Sequence, residues 1–334
     1  MSCMHEGQAA DFDHLTPDAV IDRVEAALGA RCTNVCRPLN SYINRVYEVQ
    51  RADGSAVIAK FYRPGRWSRE ALQDEHDFLA ELAGAEIPVI APLPLRDGAT
   101  LWHDGTLHYA LFPKKGGRVL VEPTRDQWRR LGMLMGRVHT VGAGRAPRDR
   151  VVATPRAWSE PQLEAILASD HLPEGCVDAY AEAAEGILDL IAPRFEGIET
   201  IRIHGDAHGQ NVIERPGEGL FLIDFDDMAV GPPVQDLWMF LPGRLADAVP
   251  EADALVEGYT AFRPFDPGTW RLVEPLRAMR FIHYTAWCAR QAADRGFARL
   301  APDFGTPAYW RRETRDLENQ RVEIEDALDA PLPF

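Results

Sequence analysis

The chain has 334 residues and a formal net charge of −15, enough length for about two domains and a charge balance opposite to the basic footprint of a general nucleic-acid binder. No apolar run is long enough to span a membrane, and the stretch MSCMHEGQAADFDHL has neither the basic start nor the apolar h-region of a secretory signal. The five cysteines (Cys3, Cys32, Cys36, Cys176 and Cys288) are an odd, scattered set, a poor framework for disulfides or zinc, so free thiols and a cytoplasmic location are expected.

Residues 42–62 read as strand, turn, strand: YINRVYEV, then RADGS, then AVIAKFY, with Asp53-Gly54 as the hairpin signal. RWSREALQDEHDFLAEL follows as a helix, with Ser68 as N-cap and Leu72, Leu79 and Leu82 on one face. TLHYALF is a further strand that ends at Pro113. KKGG, residues 114–117, reads as a flexible, solvated connector, after which a Thr124–Gln127 capping box opens a long helix. The rest reads as helical except for 201–225. The expected fold class is therefore α+β: a small β-rich domain over 1–112 and a larger helical domain over 113–334 carrying one hairpin.

That hairpin carries the chemistry. HGDAHGQN, residues 204–211, leads into NVIER, a four-residue PGEG loop and LFLID, with Asp226 and Asp227 following. Pairing Arg215 with Leu220 sets Asn211 opposite Asp224, with Asp206 in the loop just upstream. An amide oxygen and a carboxylate held together suit Mg²⁺, which takes one or two protein carboxylates and leaves the rest of its shell to water and phosphate. A second aspartate can accept a proton from an attacking hydroxyl. Together these groups make a minimal phosphoryl-transfer site.

Lys60 sits in an apolar strand on one face with Ile58 and Tyr62, and Glu75 falls on the apolar side of the next helix. A buried lysine needs a partner, and this pairing has the form of a kinase phosphate-binding ion pair. The rival reading takes His204, Asp206 and His208, completed by His139 or His283, as zinc or iron ligands of a hydrolase. It leaves the hairpin carboxylates without a role.

HGDAHGQNVIERPGEGLFLIDFDDMAVGPPVQDLW resembles the catalytic segment of protein-kinase-like phosphotransferases of the aminoglycoside-phosphotransferase type. LNSYINRVYEV, AKFYRPGRWS, GPPVQDLWMF and EPLRAMRFIHY are similar to the bacterial stress response kinase A family, over residues 12–330. The resemblance implies a two-lobed kinase-like fold and an ATP- and Mg²⁺-dependent serine/threonine protein kinase that also phosphorylates itself, acting as a monomer. A small-molecule hydroxyl kinase of the aminoglycoside or choline kinase type is the alternative within the fold. By that resemblance Asp206 is the base, Asn211 and Asp224 hold Mg²⁺, Lys60 and Glu75 form the phosphate-binding pair, Ser41 meets the nucleotide phosphates, Phe112 faces adenine and Asp236 braces the catalytic loop.

Several features depart from ordinary protein kinases. PLNSYINRV has no glycine, so side chains such as Ser41 and Asn44 are expected to serve the phosphates. HGD stands in place of His-Arg-Asp, DFD in place of Asp-Phe-Gly, and only eleven residues separate Asp224 from Asp236, too few for an activation segment. Acceptor recognition is expected instead from the helix over residues 272–292, where Arg277, Arg280, Tyr284 and Trp287 form one stripe.

Overall fold

The computed structural model describes residues 12–294, 296–329 and 331–332; Cys3 and most of the N-terminal stretch lie outside them. Helix α1 (Pro17–Leu28), capped by Thr16 and closed by Gly29 in the left-handed region, lays Val20, Val24 and Ala27 against the first sheet. That sheet is antiparallel, in the order β1 (Cys32–Pro38), β2 (Arg45–Arg51), β3 (Ala56–Phe61), β5 (His108–Pro113), β4 (Trp102–His103). Helix α2 (Arg69–Gly84) starts at the Ser68 cap, and its buried face holds Leu72, Glu75, Leu79 and Leu82. Cys32, Cys36, Cys176 and Cys288 are free.

Beyond Pro113 the chain is mostly helical. Strand β6 (Arg118–Val119) leads to α3 (Arg125–Gly142), which carries the reciprocal Thr124–Gln127 capping box. Helices α4 (Glu160–Leu167) and α5 (Glu174–Ile191) precede the short β7 (Ile201–Ile203), and the hairpin follows as β8 (Val212–Arg215) and β9 (Gly219–Leu222). Then come β10 (Ala229–Gly231), α6 (Val234–Trp238), α7 (Val249–Tyr259), α8 (Val273–Gln291), α9 (Phe297–Leu300) and α10 (Pro307–Asp329). A large apolar core spans these helices, with Leu131, Met135, Leu255, Tyr259, Met279 and Trp310 at its centre. α3 and α7 cross with glycines at the contact: a Cβ on Gly132 would stand 1.9 Å from the Leu255 carbonyl. No helix among the described residues is long and apolar enough to cross a membrane.

The connector is exposed, as expected, but makes contacts: Lys114 pairs with Glu48 at 2.7 Å, Lys115 lies over the Phe221 ring, and β6 joins β8. Two local expectations change. A ladder of β7 with β10 accompanies the hairpin; three residues per strand are too few to show periodicity. The hairpin register is also shifted by one. Arg215 pairs with Gly219 and Val212 with Leu222 across a three-residue loop, with Gly217 and Gly219 at positive φ. Asn211 therefore stands opposite Ile223, whose N–H donates to its carbonyl at 2.9 Å, and Asp224 lies past the ladder.

Candidate active site

A cleft of about 2170 Å³ runs between the first sheet with its β3–α2 loop and the hairpin with α8. Ser41, Lys60, Glu75, Phe112, Asp206 and Asp224 all line it. Ser41 stands half-buried in the β1–β2 turn, and Phe112, at the strand exit, packs against the cluster of Tyr62, Leu72, Leu101 and Ala110, with Val46, Ile58, Ile213 and Ile223 as further apolar residues of the cleft lining.

Asp224 compensates for the shifted register. A one-residue slip would send a regular strand's side chain to the other face. Here Asp224 instead adopts a left-handed backbone (φ 61°, ψ 68°) that ends the strand and leaves its carboxylate open to the cleft. Aspartate tolerates that conformation better than most residues. Asn211 is oriented by its own amide, whose Nδ2 donates to the Asp206 carbonyl at 2.9 Å; no described residue engages its Oδ1.

Lys60 is buried and held by three carboxylates: Asp226 at 3.1 Å, Asp224 at 3.2 Å and Glu75 at 3.8 Å. Burial works against its charge, but the acids outweigh burial and hold the ammonium well above its ordinary range. The expected Lys60–Glu75 pair is thus the longest of the three contacts. Glu75 sits closer to Arg150, 3.1 Å away, and burial raises its carboxyl against the lowering influence of both cations.

Arg150 is fully buried. It also donates to the carbonyls of Ala71, Asp226 and Met228 and lies 4.4 Å above the Trp67 ring. Arg66 forks onto Asp226 and Asp227. Asn44 is committed inside this network and is not free for phosphate: its Nδ2 donates to Asp226 and its Oδ1 accepts from the Arg63 amide. Arg66, Arg150 and Asp226 are functional neighbours that the sequence alone does not single out. The only signals were the acid in the third place of DFD and the arginine in RPGRWS.

The loop before the hairpin is fixed from behind. Asp236, wholly buried, accepts from His204 N at 2.7 Å and Gly205 N at 2.8 Å, and from His139 Nε2 at 3.0 Å. His204 donates Nε2–H to the Ile223 carbonyl and accepts from Asp206 N at Nδ1. Both its nitrogens are used, His139 faces Asp236 and Tyr259, and His283 packs against Trp158. The histidines do not converge, which removes the hydrolase reading. Gly205 has φ 85°, and a Cβ there would meet the Asp227 carbonyl at 2.1 Å. Space, not only charge, therefore excludes an arginine between His204 and Asp206.

Asp206 itself faces the cleft. Arg280 Nη1 lies 3.0 Å from its Oδ1 and His208 Nε2 3.3 Å from its Oδ2. Burial would raise this carboxyl, but His208 and Arg280 overcome that and hold it well below the usual range. Of the expected stripe, Arg280, Tyr284 and Trp287 line the cleft. Arg277 turns away to Glu274, the Gly243 carbonyl and the Trp238 ring.

The family described as "Phosphotransferase enzyme family" matches residues 35–276 of this chain. The chain belongs to that family. It is therefore a phosphotransferase enzyme with an α+β, kinase-like fold. Stress response kinase A of Escherichia coli (strain K12) is 33% identical over 95% of this phosphotransferase and 96% of its own length. A Salmonella typhimurium relative named serine/threonine protein kinase RdoA is 35% identical, covering 93% and 94%. Among solved structures, amicoumacin kinase hAmiN in complex with AMP-PNP, Ca²⁺ and Ami aligns over 95% of each chain with a TM-score of 0.72 and 18% identity, a likeness of fold.

Proposed function

We propose that this phosphotransferase is an ATP- and Mg²⁺-dependent serine/threonine protein kinase that also phosphorylates itself and serves a bacterial stress response. The relative named as a serine/threonine protein kinase, similar over nearly the whole chain, carries the acceptor class. The convergence of Lys60, Asp224 and Asp206 on one cleft supports the chemistry.

In this reading the apolar lining near Phe112 takes adenine, and Lys60, steadied by Glu75, meets the phosphates alongside Ser41. The hard oxygens of Asp224 and Asn211, one open to the cleft and one unengaged, fit Mg²⁺ and would hold it. When bound, the ion neutralises charge on the β- and γ-phosphates. Asp206 orients the acceptor hydroxyl and takes its proton as the acceptor oxygen bonds to Pγ. The bond from Pγ to the bridging oxygen breaks, and ADP leaves with the electron pair.

The test is incubation with γ-labelled ATP and Mg²⁺. Label should appear on the chain itself and on protein acceptors, and vanish with Asp206→Ala. Label found only on an added amino alcohol or aminoglycoside, with no protein labelled, would replace this reading with the small-molecule kinase.

A further inference from the structure

The acceptor side of the cleft has a hydrogen-bonding and charge pattern that the phosphoryl-transfer residues leave unused. Helix α8 presents Arg280, His283, Tyr284, Trp287, Arg290 and Gln291 to it. Tyr284 stacks on Trp287 with centroids 5.6 Å apart, Tyr42 packs on Trp287 from the opposite lobe at 5.5 Å, and Tyr284 is 51% exposed. Four buried polar atoms of residues lining the cleft have no hydrogen-bond partner among the described residues: Tyr42 Oη and Trp67 Nε1 from the opposite lobe, His283 Nδ1 and Gln291 Oε1 on α8. Buried polar atoms are nearly always satisfied, and a cluster of four beside one cleft leaves its walls short of polar partners in this conformation.

Charge adds direction. Arg290 makes no ion pair or hydrogen bond among the described residues, in a chain of net charge −15. Packing around its guanidinium, then repulsion from Arg66, lowers it to about 10, although the residue stays exposed. Asp227, the one acid that acts on it, is already bonded to Arg66. Arg290 and Arg280 lie ten residues apart on α8, about 15 Å along its axis. An extended polypeptide covers that span in about four to five residues.

We propose that the α8 wall binds the acceptor as an extended acidic polypeptide segment, with the hydroxyl at Asp206, an apolar side chain on Tyr284 and Trp287, and a carboxylate at Arg290 four to five residues away. This inference rests on the protein-kinase reading.

The test uses the full chain with ATP, Mg²⁺ and a set of synthetic serine peptides in which glutamate or lysine is scanned along the sequence. Wild type should favour glutamate over lysine by at least about fivefold in kcat/KM, four or five positions from the serine on one side. Arg290→Glu should reverse that preference toward lysine. The ratio is read within each variant, so overall activity does not enter it, and equal thermal midpoints confirm folding. No charge preference at those positions, a preference unmoved by Arg290→Glu, or a self-labelled chain that labels no peptide would each overturn the inference and leave the kinase reading intact. Label confined to a small-molecule hydroxyl would end both.

Discussion

Arg280 on α8 reaches across the cleft to place its Nη1 3.0 Å from Asp206 Oδ1, while His208 Nε2 stands 3.3 Å from Oδ2. The carboxylate is thus oriented from both sides without being enclosed, since a quarter of the Asp206 side chain remains exposed. In the proposed reaction an acceptor hydroxyl entering the cleft would meet an ionised carboxylate already aimed by its neighbours. Arg280→Gln should lower kcat by about tenfold through loss of that aim, and Arg280→Lys should recover part of it. Asp206→Asn should cost about 10²- to 10⁴-fold. Steady-state kinetics on the labelled-ATP assay checks all three, and equal rates for Arg280→Gln and wild type would remove Arg280 from the site.

Arg150 ties the Glu75 helix to the turn after the hairpin through one carboxylate and three carbonyls. Arg150→Met removes that fork and leaves three buried carbonyls and Glu75 short of a donor. Breaking a buried pair from one side costs about 3–5 kcal/mol. A fall of that size in urea-unfolding free energy is expected, with weaker ATP binding, because Lys60 shares Glu75 with Arg150. Arg150→Lys should restore little, since an ammonium cannot match the planar fork.

The two glycines of the HGDAHGQN loop differ in role. Gly205 combines a positive φ with a backbone contact that any Cβ would violate, whereas a Cβ on Gly209 would come no nearer than 3.3 Å to the Leu120 carbonyl. Gly205→Ala should therefore destabilise by about 2–4 kcal/mol and displace Asp206, with activity falling further than stability alone accounts for. Gly209→Ala should cost under about 1 kcal/mol. Thermal unfolding and the kinase assay on both variants separate them.

What could be read from the sequence depended on range. Ser68, Glu75 and the Thr124–Gln127 box were legible because caps and helical spacing are local. Asp206, Asn211 and Asp224 could be singled out together because they flank one hairpin, even though the pairing was one residue off; of the three, Asp206 and Asp224 line the cleft. The error came from the turn: a three-residue loop with two positive-φ glycines reads much like a four-residue one, and the left-handed backbone at Asp224 has no sequence signal. Arg66, Arg150 and Asp226 were not legible because their partners lie 75 to 182 residues away. Asn44 looked free for the same reason: its partner Asp226 is 182 residues distant. Long-range side-chain pairing leaves no periodicity to detect.

His76 offers a pH readout of how dry the interior beside Lys60 is. Its ring lies between the Tyr62 hydroxyl and Thr100 Oγ1, each 2.8 Å away, and the residue is 1% exposed. Burial, then the charges of Lys60 and Arg150, lower its pKa to about 3. In the unfolded chain the imidazole titrates near about 6.5. Between those values the unfolded state binds a proton that the folded state refuses. This contribution to stability is therefore complete above pH 6.5 or so and declines by about 1.4 kcal/mol per pH unit as pH falls toward 3. His283, lowered by burial to about 4, acts in the same direction. Glu75, raised by burial, acts in the opposite direction, its contribution being lost as pH rises. By subtraction His76 should account for about 2 kcal/mol of the loss between pH 6.5 and 5, and His76→Gln should show a correspondingly shallower decline in urea-unfolding free energy. Ring chemical shifts should report His76 neutral at pH 5. An imidazole that titrates near 6.5 would mean that water reaches this side of the cleft, and that Lys60 is held in a wetter site than its three carboxylates suggest.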